Sequence, residues 1–146
     1  MRLGRLRLGE ILALIGALGV IFTLTLDWYE NAERSFDAFD TFGPAVVLLL
    51  LSAVVALVLV VATLTERSTA VPVAAAIWST FFGLVAVIAA IVRLLERPQG
   101  STSLCAGAWV ALAGALLIVA GSWESMRDER TRLYPLARPE PREPPA

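Results

Sequence analysis

Four apolar stretches, Ile11–Leu26, Pro44–Leu64, Val71–Val92 and Leu104–Trp123, carry no ionisable residue except at their ends, so nearly all the charge lies in the connections. Each has the reach needed to cross the hydrocarbon core of a bilayer. With no water there, every backbone N–H and C=O must be satisfied within the segment, and runs of this length do that as helices. The pattern predicts an all-α fold, an integral membrane four-helix bundle occupying residues 1–132, with spans at about 10–26, 44–64, 71–93 and 104–123.

Composition agrees with one membrane domain and little else. At 146 residues and 58% hydrophobic, with a mean hydropathy of +0.74, the chain is too apolar for an ordinary soluble domain and too short for a second one. A net charge of −1 gives no reason to expect nucleic acid as a partner. All twelve basic residues are Arg, which reads as a coding bias rather than as a site. Histidine is absent and Cys105 is the only cysteine, which removes the commonest proton shuttle, any zinc set and any thiol pair. Cys105 reads as a small apolar residue near a helix end. Pumps, ion pathways and membrane enzymes place a charge or a convergent acid and base at membrane depth; nothing of that kind stands here, so no catalytic residue, cofactor or metal ligand is assigned. Arg2, Arg5 and Arg7 before an apolar run also describe a signal peptide, with Ala17-Leu18-Gly19 as its cleavage site. Val20–Leu26 carries the run past that point to the length of a span, so an uncleaved helix is expected.

Arginine counts set the orientation. Nine arginines, Arg2, Arg5, Arg7, Arg67, Arg127, Arg130, Arg132, Arg138 and Arg142, fall on one side and three, Arg34, Arg93 and Arg97, on the other. Both termini are expected in the cytoplasm and the first and third connections outside, with Arg93 and Arg97 running against the rule. The expected location is the cell membrane.

The first connection, Asp27–Gly43, is both acidic and aromatic: Asp27, Glu30, Glu33, Asp37 and Asp40 stand against Arg34 alone. Clustered carboxylates can hold Ca²⁺, but the repeated spacing of a calcium loop is missing, and the acids read as marks of a translocated segment. Trp28 and Tyr29 stand where the first span leaves the bilayer, the usual place for interfacial rings. Phe36, Phe39 and Phe42 recur every third residue, which predicts a short helix capped by Ser35, either amphipathic and lying at the outer interface or a bent extension leading into the second span at Pro44.

The second span, Val46–Val61, is nearly pure Val, Leu and Ala and is expected to face lipid. The short turn at Thr65–Ser68 makes spans two and three antiparallel neighbours. Spans three and four carry stripes of small residues. Ala76, Ser79, Gly83, Ala86 and Ala90 form one; Gly107, Ala111, Gly114 and Gly121 form the other. Helices in lipid gain no hydrophobic drive toward each other, so close backbone contact along such stripes is what holds them. Trp78, Trp109 and Trp123 read as interface anchors. The fourth helix is expected to run on through Arg132, and residues 133–146, with five prolines after Leu133, to form a disordered cytoplasmic tail or a polyproline ligand.

The fourth-span run Gly107-Ala108-Trp109, Ala113-Gly114-Ala115-Leu116, Gly121-Ser122-Trp123 and Met126-Arg127-Asp128-Glu129-Arg130 resembles small, uncharacterised four-span membrane proteins of high-GC Gram-positive bacteria. Asp27-Trp28-Tyr29, Ser35–Phe39 and Arg93-Leu94-Leu95 are similar to their first connection and third-span exit, so the resemblance covers about Leu12 to Arg130. It implies the architecture and supplies no site or activity. The function expected is therefore that of a non-enzymatic interaction or structural component, with the bilayer and another membrane protein or a second copy as partners. The alternative is a small transport or channel component whose oligomer lines a path with Ser52, Ser79, Thr80 or the acidic mouth.

Overall fold

A computed structural model describes residues 7–31, 33, 35–43, 46–65, 70–96 and 103–133, without the side chains of 128–133. Of the expected tail at 133–146, Leu133 is the last residue of a helix; residues 134–146, Arg2, Arg5, Arg34, Pro44, Arg97 and the turn holding Arg67 lie outside the described residues. In chain order the elements are α1 (Leu8–Thr23), β1 (Tyr29–Glu30), β2 (Ser35–Phe36), α2 (Ala38–Phe42), α3 (Val46–Thr65), α4 (Ala70–Leu95), β3 (Ser103–Leu104) and α5 (Ala106–Leu133). Three helices are long and apolar enough to cross a membrane: α3, α4 and the Ala106–Arg127 part of α5. The fourth apolar helix, α1, is shorter.

The four long helices close into a ring in the order α1, α5, α4, α3, so each packs on two neighbours, with slight contact across the ring between α3 and α5. The ring is filled mostly by small residues, with Val20, Leu49, Leu59 and Ile118 among them. Ala13, Ala17, Ala53, Ala56, Ala76, Ala86, Ala90, Ala108, Ala111 and Ala115 are buried, together with Ser52, Ser79 and Ser122. Ile11, Ile15, Leu18, Val47, Val54, Leu84, Ile88 and Leu116 point outward. A water-soluble bundle does the reverse, because water drives the largest apolar side chains into the core.

Both small stripes expected in the third and fourth spans are buried, but their partners are not simply each other. Gly121 and Gly114 of α5 meet α1, and Gly107 meets the connection just beyond it. A Cβ on Gly121 would stand 2.5 Å from both the Ala13 nitrogen and the Gly9 carbonyl oxygen; on Gly114, 2.9 Å from the Gly16 oxygen; on Gly107, 2.6 Å from the Asp27 oxygen. On α1 the matching positions are Gly9, 2.7 Å from the Ser125 nitrogen, and Gly16, 2.6 Å from the Gly114 oxygen. Glycines seven residues apart on each antiparallel helix thus bring backbone onto backbone, the arrangement that van der Waals packing favours where burial gives no drive. Thr23 takes the third heptad position on α1 and donates its hydroxyl to the Gly107 carbonyl at 2.5 Å. The α4 stripe meets α5 through side chains, with Gly83 opposite Ile118 and Val119, and the Ser122 hydroxyl donates to Ser79 at 2.6 Å.

One end of the ring carries a cap absent from the sequence reading. Strands β1, β2 and β3 form a small antiparallel sheet in the order β2-β1-β3, pairing Tyr29 with Phe36 and with Leu104. Ser35 therefore sits in a strand and does not cap a helix; Asp37 is the N-cap of α2, its carboxylate accepting from Asp40 N at 2.9 Å. Helix α2 is a single turn of five residues, so the three phenylalanines do not share its face. Phe36 is in β2 and half-buried, Phe39 is exposed and Phe42 is buried.

Candidate functional site

The capped end holds most of the chemistry-bearing side chains among the described residues. Trp28 and Tyr29 are fully buried there. They are core residues and not the interfacial anchors expected from their position beside the first span. The Trp28 ring stands edge-on to Phe42, centroids 4.6 Å apart, and its indole N–H donates to the Thr23 carbonyl at 3.2 Å. The Tyr29 hydroxyl donates to the Arg93 carbonyl, and the Arg93 guanidinium lies 5.7 Å from the centroid of the Phe42 ring. Arg93, one of the arginines against the orientation rule, is thus built into the cap. Trp78, Trp109 and Trp123 do point outward.

The carboxylates of the first connection are spread over this cap rather than gathered. Glu30 accepts from the Ser103 hydroxyl at 2.8 Å, Asp37 is spent on its helix cap, and Asp40 and Glu33 are exposed. Among the described residues no three His, Cys, Asp or Glu side chains are grouped to hold a metal ion. Cys105 lies at the sheet edge, its N–H donating to the Trp28 carbonyl at 2.9 Å. Burial pushes its thiol above the ordinary value, helped by the Glu30 and Asp27 carboxylates and a hydrogen bond to Glu30. A thiol held protonated is a poor nucleophile.

Inside the ring, the hydroxyls considered for a transport path are each satisfied locally. Ser52 donates to the Leu49 carbonyl at 2.7 Å, Thr80 to the Ala76 carbonyl at 2.9 Å, and Ser79 accepts from Ser122. Only the Ser122–Ser79 pair bridges two helices; the other two lie within their own helix.

At the other end of α1, Glu10 is 4% exposed and is the one buried acidic or basic side chain among the described residues. One carboxylate oxygen accepts from the Arg7 backbone N–H at 2.8 Å, satisfying a donor that the helix start leaves open; the other accepts from the Ser125 hydroxyl at 2.7 Å. The sequence reading passed over Glu10 because it stands at the edge of the first apolar run. Its place three residues into the helix, where a carboxylate reaches back to the cap, was the available signal. Gly9 and Gly16 were missed likewise, with Thr23 completing their spacing of seven.

Comparison with protein-family models, with curated proteins and with solved structures gives no match.

Proposed function

We propose that the protein is a non-enzymatic component of the cell membrane, crossing it four times with both termini in the cytoplasm and serving an interaction or structural role. The observation that carries the reading is the packing of the ring, whose interior is mostly Gly, Ala and Ser with a few larger side chains such as Leu49, Leu59 and Ile118, while most of its large apolar side chains face outward. Such a surface is stable against acyl chains and is a liability in water. The fourth crossing is α1, which reaches the outer surface through the hydrogen-bonded turn at Leu24–Leu26. The excess of Arg at the termini and in the second connection supports the orientation. Likeness to the small four-span proteins of high-GC Gram-positive bacteria belongs to the same proposal and adds no activity.

Satisfied hydroxyls and the absence of a charge at mid-depth speak against a path through this chain. The small-residue faces are spent on contacts within the chain, so a partner protein or second copy meets the large outward side chains such as Phe81 and Trp78. Topology reporters test the reading. One fused after Ala146 gives a cytoplasmic signal and one placed within residues 31–37 an external signal; an external signal at Ala146 overturns it.

A further inference from the structure

The apolar surface of the ring does not end at one height. The Ser79–Ser122 hydrogen bond, with Gly83 against Ile118 and Val119, fixes the register of α4 on α5. Stepping along antiparallel helices of equal rise puts Trp123 level with Trp78, and Glu124 level with Ile77. Gly9 against Gly121 and Ser125 brings the start of α1, with Arg7, to the same height. Here Glu124 pairs with Arg127 at 3.5 Å, both exposed, so on the α1–α5 side the apolar band has ended.

On the opposite side it continues. From Ile77 back to Ala70, α4 runs about 10 Å further, and α3 accompanies it to Thr65. Val61 and Val71 are 51% and 46% exposed on this extension. They belong to an open groove of about 420 Å³, lined also by Val54, Leu57, Val58 and Ala62. Its one polar lining residue, Thr65, donates its hydroxyl to the Val61 carbonyl at 2.8 Å and offers no donor to a ligand. Helices that pack on one another in lipid do so closely through stripes of Gly, Ala and Ser, and the lining of this groove is mostly Val and Leu. This groove instead prolongs the outward Val face of α3 without interruption.

We propose that the bundle is seated unevenly, with the α3–α4 end immersed among acyl chains at a height where the start of α1 and the charged end of α5 stand in water. The occupant of the groove is lipid, and the seating is met by tilt or by local deformation of one leaflet, both ordinary responses to unequal apolar lengths. The inference rests on the membrane reading above and adds depth to it.

Nitroxide labels on single cysteines in a Cys105→Ser background, with the full chain in phosphatidylcholine vesicles, test it by collision with oxygen and with a water-soluble nickel chelate. The exposed positions are Val61→Cys, Val71→Cys, Glu124→Cys and, as a mid-span reference, Leu84→Cys. The expected result is that Val61 and Val71 resemble Leu84, oxygen-rich and several-fold less accessible to nickel than Glu124. Nickel access at Val61 and Val71 equal to that at Glu124 overturns the uneven seating while leaving the membrane reading intact. So does shielding of both from either reagent, which would mean protein covers the groove. A nickel-accessible Leu84 overturns the membrane reading itself.

Discussion

The α1–α5 seam and the α3–α4 pair are both antiparallel contacts between apolar helices, yet they are built differently. Along the seam, glycine backbones touch and Thr23 and Glu10 tie the two ends. Between α3 and α4 the contact is made by alanine and larger side chains, and the helices are adjacent in sequence, joined across residues 66–69. A short connection confers proximity at small entropic cost, so neighbouring helices need little specificity. The seam joins the first and last helices and has no such help. It relies on close approach and on polar ties, which is where a bundle in lipid finds its holding energy.

The sharpest way to break the contrast is a bulky side chain in the seam. Gly121→Leu would drive a side chain into the backbone of Gly9 and Ala13, which cannot yield as a flexible side chain can, and a loss of at least about 1–3 kcal/mol is expected. Thermal unfolding in mild detergent reads it. Gly114→Leu is expected to behave alike, because it faces the Gly16 carbonyl and Val20. Next comes Glu10→Ala, which strips the start of α1 of its cap and leaves the buried Ser125 hydroxyl unpaired; about 1–2 kcal/mol is expected, with partial recovery in Glu10→Gln. A smaller effect, about 1 kcal/mol, follows Tyr29→Phe, which removes the tie to Arg93 at the capped end. It should show as faster amide exchange in residues 27–43 without separating the helices. Val58→Leu, on the outer face of the α3–α4 pair, is expected to leave the melting midpoint within scatter. Cys105 reports on the same end: its raised thiol pKa predicts slow maleimide labelling at pH 7, rising only in alkaline solution, and Gly107→Leu should speed it by opening the contact with Asp27 and Trp28.

What the sequence made legible follows the reach of each signal. The helices were legible because apolar length is a local property. The stripes of α4 and α5 were legible because Gly, Ala and Ser recur with helical spacing, and every residue named in them is buried. Their partners were not, since spacing tells which face is small and not which helix it meets. The α1 stripe was hidden by the large residues Ile11, Ile15 and Leu18 interleaved with Gly9, Ala13 and Gly16. Trp28 and Tyr29 misled because a ring beside a span end fits an interfacial anchor. Their burial depends on strand pairing with residues 103–104, distant in sequence. Phe36, Phe39 and Phe42 had the period of a helix but only one turn in which to express it.

Two glycines one turn apart on α1 offer the most direct test of the backbone seam. A Cβ at Gly16 would stand 2.6 Å from the Gly114 oxygen and 2.7 Å from the Ile118 nitrogen, whereas at Gly19 the nearest neighbour, Gly114 Cα, is at an ordinary 3.7 Å. Alanine is the better helix former by about 0.5–1 kcal/mol, so absent a clash the exchange stabilises. Measured by thermal unfolding in the same detergent, Gly19→Ala is expected to hold or raise the midpoint and Gly16→Ala to lower it. If both substitutions move the midpoint in the same direction by the same amount, α1 is not seated backbone-to-backbone on α5.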